Sequence, residues 1–248
     1  MGRLDGRIAV VSGAASGMGQ GAALKLAQEG ALIEILDRND ATETIALIRE
    51  AGGEAAASIC DVTDEAQIRA AAQAVEARRG RIDILVNNAG ILSGRKPWHE
   101  LEREEVDRFL QVNFMGYFLV SQAFYPLLQK SSAGRIINVA SRTYYLANPG
   151  QMAYVASKGA VMGFTRVLAK ELGPENITVN AVAPGMIATE GTLANSPEEA
   201  FDRVMQNQAI KKRGQPRHLA GLIAFLASDE AELITGQFML CDGGGYLL

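Results

Sequence analysis

The chain has 248 residues, 48% of them apolar and 26 of them glycine, with a formal net charge of −4. That length holds one large α/β domain or two small ones, and with no basic stripe nucleic acid is excluded as a partner. Cys60 and Cys241 lie far apart and outside any CxxC or Cys/His cluster, which argues against a disulfide framework or a metal site and fits a reducing cytoplasm. The opening MGRLDGRIAVVSG lacks the apolar core of a signal peptide. No apolar run approaches the about 18 residues of a membrane span. Gly6 stands where N-myristoylation at Gly2 needs Ser or Thr.

Ile8–Val11 reads as a buried parallel strand, being short, apolar and β-branched. It runs into Ser12-Gly13-Ala14-Ala15-Ser16-Gly17-Met18-Gly19, and Gln20–Glu29 then reads as a helix. A strand, a glycine-rich turn and a helix form a phosphate-binding arrangement. Glycines admit the pyrophosphate to the backbone, and the helix start offers free N–H groups at its positive end. The blander reading is an ordinary tight turn. A second strand, Leu32–Leu36, ends on Asp37, 18 residues after Gly19. That carboxylate is placed to accept hydrogen bonds from the adenosine ribose of NAD and to repel a 2′-phosphate. Asp37 or Asp40 could instead cap the next helix, Ala41–Ala51, and Arg38 beside it could welcome a phosphate. The balance favours NAD over NADP.

Glu54–Cys60 is the third strand, followed by Asp61-Val62 and a helix over Asp64–Arg79. Ile82–Val86 is the fourth and enters Asn87-Asn88-Ala89-Gly90 at the carboxyl edge of the sheet, where ligands of doubly wound folds bind. After irregular Ile91–Glu100, Glu102–Gln129 reads as one long helix with Asn113 near its middle, a poor helix former among apolar neighbours. Arg135–Val139 is a fifth strand ending at Ser141, and the loop Arg142–Gly150 leads to an amphipathic helix, Gln151–Leu172. Thr178–Val182 leads into Pro184-Gly185-Met186-Ile187-Ala188-Thr189. A capped helix begins near Ser196-Pro197-Glu198-Glu199. Pro216–Ser228 is a last helix and Gln237–Cys241 a last strand. With no linker, repeat or low-complexity tract, this alternation predicts one doubly wound Rossmann domain over 1–248, its parallel sheet having about seven strands and a substrate-binding insertion at about 186–215.

Tyr154 and Lys158 stand four residues apart on the amphipathic helix, hence on one face. An ammonium held near a phenol lowers its pKa, and a tyrosine so tuned can exchange a proton with an alcohol or carbonyl oxygen. Alone, the pair reads more readily as a surface tyrosine packed on a lysine stem.

Together these motifs resemble the short-chain dehydrogenase/reductase family from end to end. Ser12-Gly13-x-x-x-Gly17-x-Gly19 resembles its cofactor turn, with Ser for the usual Thr, and Asn87–Gly90 its NNAG motif. Asn113, Ser141, Tyr154 and Lys158 are similar in identity and order to its catalytic tetrad, and Pro184, Gly185 and Thr189 to its P-G-x-x-x-T segment. The resemblance implies that Tyr154 is the general acid or base, that Lys158 depresses its pKa and holds the nicotinamide ribose, and that Ser141 binds the substrate oxygen. Asn113 would anchor a water that passes protons onward. It further implies a cofactor site of Gly13, Ser16, Gly17, Met18, Gly19, Asp37, Arg38, Asp61, Val62, Asn87, Ala89, Gly90, Pro184, Gly185 and Thr189, beside Tyr154 and Lys158. No metal is implied. A homotetramer is, its long helices pairing at Ala156, Ala160 and Gly163.

The substrate pocket is expected to come from Leu92–Trp98, Arg142–Asn148 and Met186 to about Ala209. Ser141, Tyr144, Tyr145 and Met186 are its candidate contacts. Trp98, Leu146 and Phe201 would complete an aromatic or apolar wall for a cyclic or aromatic secondary alcohol or ketone. The tyrosines could instead pack on a neighbouring subunit. Arg95, Lys96 and Arg142 could recognise an anion, though solvated faces account for such residues as well. His99 and His218 receive no role. The loops Arg142–Leu146 and Met186–Gly191 resemble the pyridoxal 4-dehydrogenase and aryl-alcohol dehydrogenase branches. An NADPH-dependent 3-oxoacyl-thioester (acyl carrier protein) reductase would share the fold and tetrad. A dinucleotide-sensing protein without catalysis is the reading from another class.

Overall fold

The computed structural model describes residues 2–92 and 95–247. The first half runs β1 (Ile8–Ser12), α1 (Gly17–Gln28), β2 (Leu32–Asp37), α2 (Thr42–Glu50), β3 (Ala55–Ile59), α3 (Glu65–Arg79) and β4 (Ile84–Asn87). The second runs α4 (Arg103–Leu110), α5 (Gly116–Leu128), β5 (Arg135–Val139), α6 (Thr143–Leu146), α7 (Met152–Leu172) and β6 (Thr178–Pro184). It closes with α8 (Glu190–Asn195), α9 (Glu198–Gln206), α10 (Pro216–Ala227) and β7 (Phe238–Cys241).

The seven strands make one parallel sheet in the order β3-β2-β1-β4-β5-β6-β7. β1, β4, β5 and β6 are buried at every position, which is why they read as largely apolar runs. One apolar layer joins α1 and α10 to the sheet through Leu26, Leu219 and Ile223; the other joins α3, α5 and α7 through Val75, Phe124 and Leu172. Strand order reverses between β1 and β4, so a crevice opens beyond the carboxyl ends of those two strands.

Two expected elements differ. α1 starts at Gly17, three residues before Gln20: Gly13 and Gly17 turn the chain at positive φ values of 65° and 63°, and Met18 and Gly19 already belong to the helix. The long helix expected over Glu102–Gln129 is interrupted by a π turn, Gln111–Met115, between α4 and α5. Asn113 sits inside that turn. Its buried amide clamps the main chain of Ile91, Oδ1 accepting from Ile91 N at 2.8 Å and Nδ2 donating to Ile91 O at 3.1 Å. A widened turn brings the amide to that partner.

Candidate active site

The crevice begins at Ser12. Its hydroxyl accepts from Asn88 N at 3.0 Å and Ala89 N at 3.1 Å, while Asn88 Nδ2 donates to the carbonyls of Ser12 and Gly13 at 2.9 and 2.8 Å. The ends of β1 and β4 are thereby laced together. A Cβ on Gly19 would stand 2.1 Å from Gly13 O, and one on Gly13 2.7 Å from Ala89 Cα. Only glycines allow this closeness. At the start of α1, Ser16 caps with no side-chain bond and no acidic residue occupies the first turn, so the leading N–H groups stand free for an anion. The chain therefore fits a dinucleotide's pyrophosphate. Thr189, which caps α8, approaches Gly17, with a Cβ there 3.5 Å from Thr189 Cγ2.

Asp37 lies at the end of β2, its Oδ2 accepting from Ala15 N and its Oδ1 from Asn39 N, both at 2.9 Å. It braces the turn and stays partly open. Arg38 is exposed and Asp61 holds Thr63. Val62 is buried against Gly116, where a Cβ would stand 2.8 Å from Val62 Cγ2. Gly185 N donates to Cys241 O at 3.0 Å, fixing the Pro184-Gly185 corner, and Met186 beside it is half-buried.

α7 presents Tyr154 and Lys158 on its inward face, 7% and 4% exposed. Ser141, whose hydroxyl accepts from Thr143 N and Oγ1 at 3.2 and 2.8 Å, lies close enough to the Tyr154 hydroxyl to lower its pKa, and the Tyr154 ring sits edge-on to Phe109 at 6.4 Å. Lys158 Nζ donates to Val139 O at 2.8 Å and to Tyr117 OH at 3.2 Å, 5.0 Å above the Tyr117 ring. A Cβ on Gly90 would fill the gap beside them, 3.0 Å from Asn113 Oδ1 and 3.6 Å from Lys158 Nζ. The Asn113 amide also donates to Ser157 Oγ at 3.1 Å, and that hydroxyl donates to Tyr154 O at 2.7 Å. The four tetrad positions thus meet at one place, from three parts of the chain: the π turn, the end of β5 and α7.

Burial dominates the electrostatics of the pair. Burial raises the Tyr154 phenol above its ordinary range, the Ser141 hydrogen bond opposing it, and burial pulls Lys158 down to about 7. Lys158 Nζ is bonded to a carbonyl and a second tyrosine, and its ionisation is set by burial. Tyr117, raised by burial, is a partner that sequence reading missed. So is the buried chain in which Asn87 Nδ2 donates to Ser121 and Asn138, and Asn138 Nδ2 to Thr165. An asparagine inside the apolar run Arg135–Val139 was its available signal.

The pocket loops also differ from expectation. Phe201 is buried beneath Arg213, whose guanidinium lies 4.0 Å over its ring, so it forms no open wall. Arg142 is buried and paired with Asp242, and Lys96 is paired with Glu105; neither is a free anion binder. Tyr145 stacks on Tyr246 at 5.2 Å within its own chain, while Tyr144 lies across Gly159 of α7 and is 43% exposed. Leu92, Arg95 and Trp98 are exposed, and Ser93 and Gly94 of that loop lie outside the described residues. His218 caps α10, its Nδ1 accepting from Gln215 N at 3.1 Å.

A family model described as enoyl-(acyl carrier protein) reductase matches residues 13–245. The chain is 40% identical over 245 residues to a 3-oxoacyl-[acyl-carrier-protein] reductase of Thermotoga maritima, covering 98% of both. It is 38% identical over 248 residues to a cyclopentanol dehydrogenase of Comamonas, again covering 98% of both. The chain belongs to the short-chain dehydrogenase/reductase family. It is an oxidoreductase of that family. A solved short-chain dehydrogenase, 7α-hydroxysteroid dehydrogenase with NADH and 7-oxo glycochenodeoxycholic acid, superposes with a TM-score of 0.93 at 34% identity, covering 98% of this chain and 95% of the other. Among the described residues no helix is long and apolar enough to cross a membrane.

Proposed function

We propose that this chain is an NAD-dependent dehydrogenase that transfers a hydride between a nicotinamide cofactor and a secondary alcohol or ketone, cyclic or aromatic. The carrying observation is the meeting of Tyr154, Ser141, Lys158 and Asn113 beside the glycine-lined crevice. When bound, the dinucleotide supplies the hydride donor or acceptor. In oxidation Tyr154 takes the carbinol proton, and in reduction it returns a proton to the oxygen that becomes the hydroxyl. Ser141 donates to that oxygen and stabilises the charge developing on it. Lys158 and the Asn113 backbone carry the proton toward solvent. The Asn113 side chain is already spent on Ile91 and Ser157, so any water it anchors is held by its main chain.

Support for NAD comes from Asp37, a half-buried carboxylate at the end of β2 that would hydrogen-bond ribose hydroxyls and repel a 2′-phosphate. The 3-oxoacyl-thioester reductase remains the second reading because the Thermotoga relative bears that name at 40% identity. A screen of cyclic and aromatic secondary alcohols, cyclopentanol included, with NAD and NADP separates the two. NAD-linked turnover is expected. Strong NADPH preference with acyl-thioester reduction would sink the first reading, and NAD binding without turnover on any alcohol or carbonyl would favour the sensing role.

We also place the protein in a homotetramer in a reducing compartment. Ala156 and Gly163 are exposed along α7, beside Val167 at 57% exposure, and Cys60 and Cys241 are both free thiols.

A further inference from the structure

Ser141 is followed directly by Arg142, which lies among the carboxyl ends of β5, β6 and β7. Arg142 Nη1 donates to Asp242 Oδ2 at 3.1 Å, with side chains 10% and 2% exposed. The slot exists because two neighbours lack side chains. A Cβ on Gly245 would stand 2.2 Å from Arg142 Nη1, and one on Gly185 would stand 2.9 Å from Asp242 Cβ. Asp242 is tied on every side. Its Oδ1 accepts from Gly244 N at 3.0 Å and Gly245 N at 3.2 Å, and its carbonyl accepts from Gln208 Nε2 at 2.7 Å. Ile210 N and Ala209 N donate to the carbonyls of Gly243 and Gly244 at 2.9 and 3.3 Å. Tyr145, three residues beyond Arg142, stacks on Tyr246. The C-terminal turn is therefore bound on one side to the loop that begins at Ser141 and on the other to the segment after α9.

A buried ion pair costs more desolvation than an apolar pair of the same volume, so its stability contribution alone is a weak reason for it. Geometry is the better reason here. We propose that Arg142 and Asp242 form a positioning pair that sets the Ser141 hydroxyl against Tyr154 and, through Gln208, holds the 186–215 insertion to the same frame. The catalytic half of this rests on the dehydrogenase reading; the mechanical half does not.

The test uses the full chain and the alcohol giving the fastest NAD-linked turnover. Asp242→Asn removes the charge at constant shape. It is expected to lower kcat by roughly 10- to 100-fold, the effect of misplacing a reacting group by about an ångström, with the NAD dissociation constant changed by less than about threefold. In a Ser141→Ala background the same substitution should cost less than about threefold, because the group it positions is gone. Equal losses in both backgrounds would overturn the proposal, as would unchanged kcat. Hydrogen exchange provides a readout without substrate. Asp242→Asn and, separately, Gln208→Ala should speed exchange in peptides spanning 142–147 and 207–210 together, leaving the α1 turn unchanged. Exchange that rises on one side only would overturn the mechanical link, and Gln208→Ala decides it should Asp242→Asn not fold. A chain that oxidises no alcohol would remove the dehydrogenase reading, with the link still judged by exchange.

Discussion

Tyr154 and Lys158 are both taken from water, and their ionisation is governed more by burial than by each other. Burial holds the Lys158 amine at about 7 against an ordinary 10.5. Between those values the unfolded chain carries the extra proton, so folded stability rises as pH climbs from about 7 toward 10.5 and is lost on acidification through 7. In the cofactor-free protein, Lys158→Met should raise the melting temperature by several degrees near pH 6, and the gain should shrink toward pH 10. Parallel melting curves would show that the amine is not held neutral. Tyr154→Phe removes the proton carrier and keeps the ring against Phe109. Turnover should fall by roughly 10²- to 10⁴-fold while NAD affinity, read by fluorescence quenching, stays within about twofold; retained turnover would point to another proton donor.

At the scale of elements, the crevice is built by strand ends that hold one another. The Ser12 hydroxyl serves two backbone N–H groups of β4's extension, Asn88 and Ala89. Ser12→Ala leaves both without their acceptor, at a cost of about 1–3 kcal/mol. Thermal unfolding should therefore move down by several degrees and NAD should bind more weakly. Ser12→Thr keeps the hydroxyl and should restore both; a Thr variant as impaired as Ala would mean that this oxygen is not the brace. The π turn between α4 and α5 belongs to the same logic. A regular helix through Asn113 would satisfy its own backbone but lose the clamp on Ile91, which fixes the chain leaving the NNAG segment.

At the scale of the whole molecule, the outer face of α7 is where the proposed tetramer is tested. Gly163 is exposed, and a Cβ built on it meets nothing within 4 Å. A glycine in a helix interior costs about 0.5–1 kcal/mol relative to alanine, and the proposed tetramer would put a second copy over this one. Gly163→Arg should leave the monomer's melting and far-ultraviolet spectrum intact yet reduce the mass seen by light scattering. An unchanged mass would place the interface elsewhere.

The strand–helix order, the parallel sheet and the family were legible from the chain itself. Fully buried strands are mostly apolar, and glycine turns must keep their spacing, so these features leave a linear trace. Ser12, Asn113, Ser141, Tyr154 and Lys158 were readable as a set through that spacing and order. Their partners were not. Val139 O and Tyr117 beside Lys158, Ile91 beside Asn113 and Asp242 beside Arg142 are distant in sequence, and a hydrogen bond across such a gap has no periodicity to betray it. Packing alone settled that Arg142 spends its charge on Asp242 and that Phe201 lies under Arg213. The direction of a side chain depends on which neighbours folding brings within reach, and this follows from the three-dimensional arrangement of the strand ends.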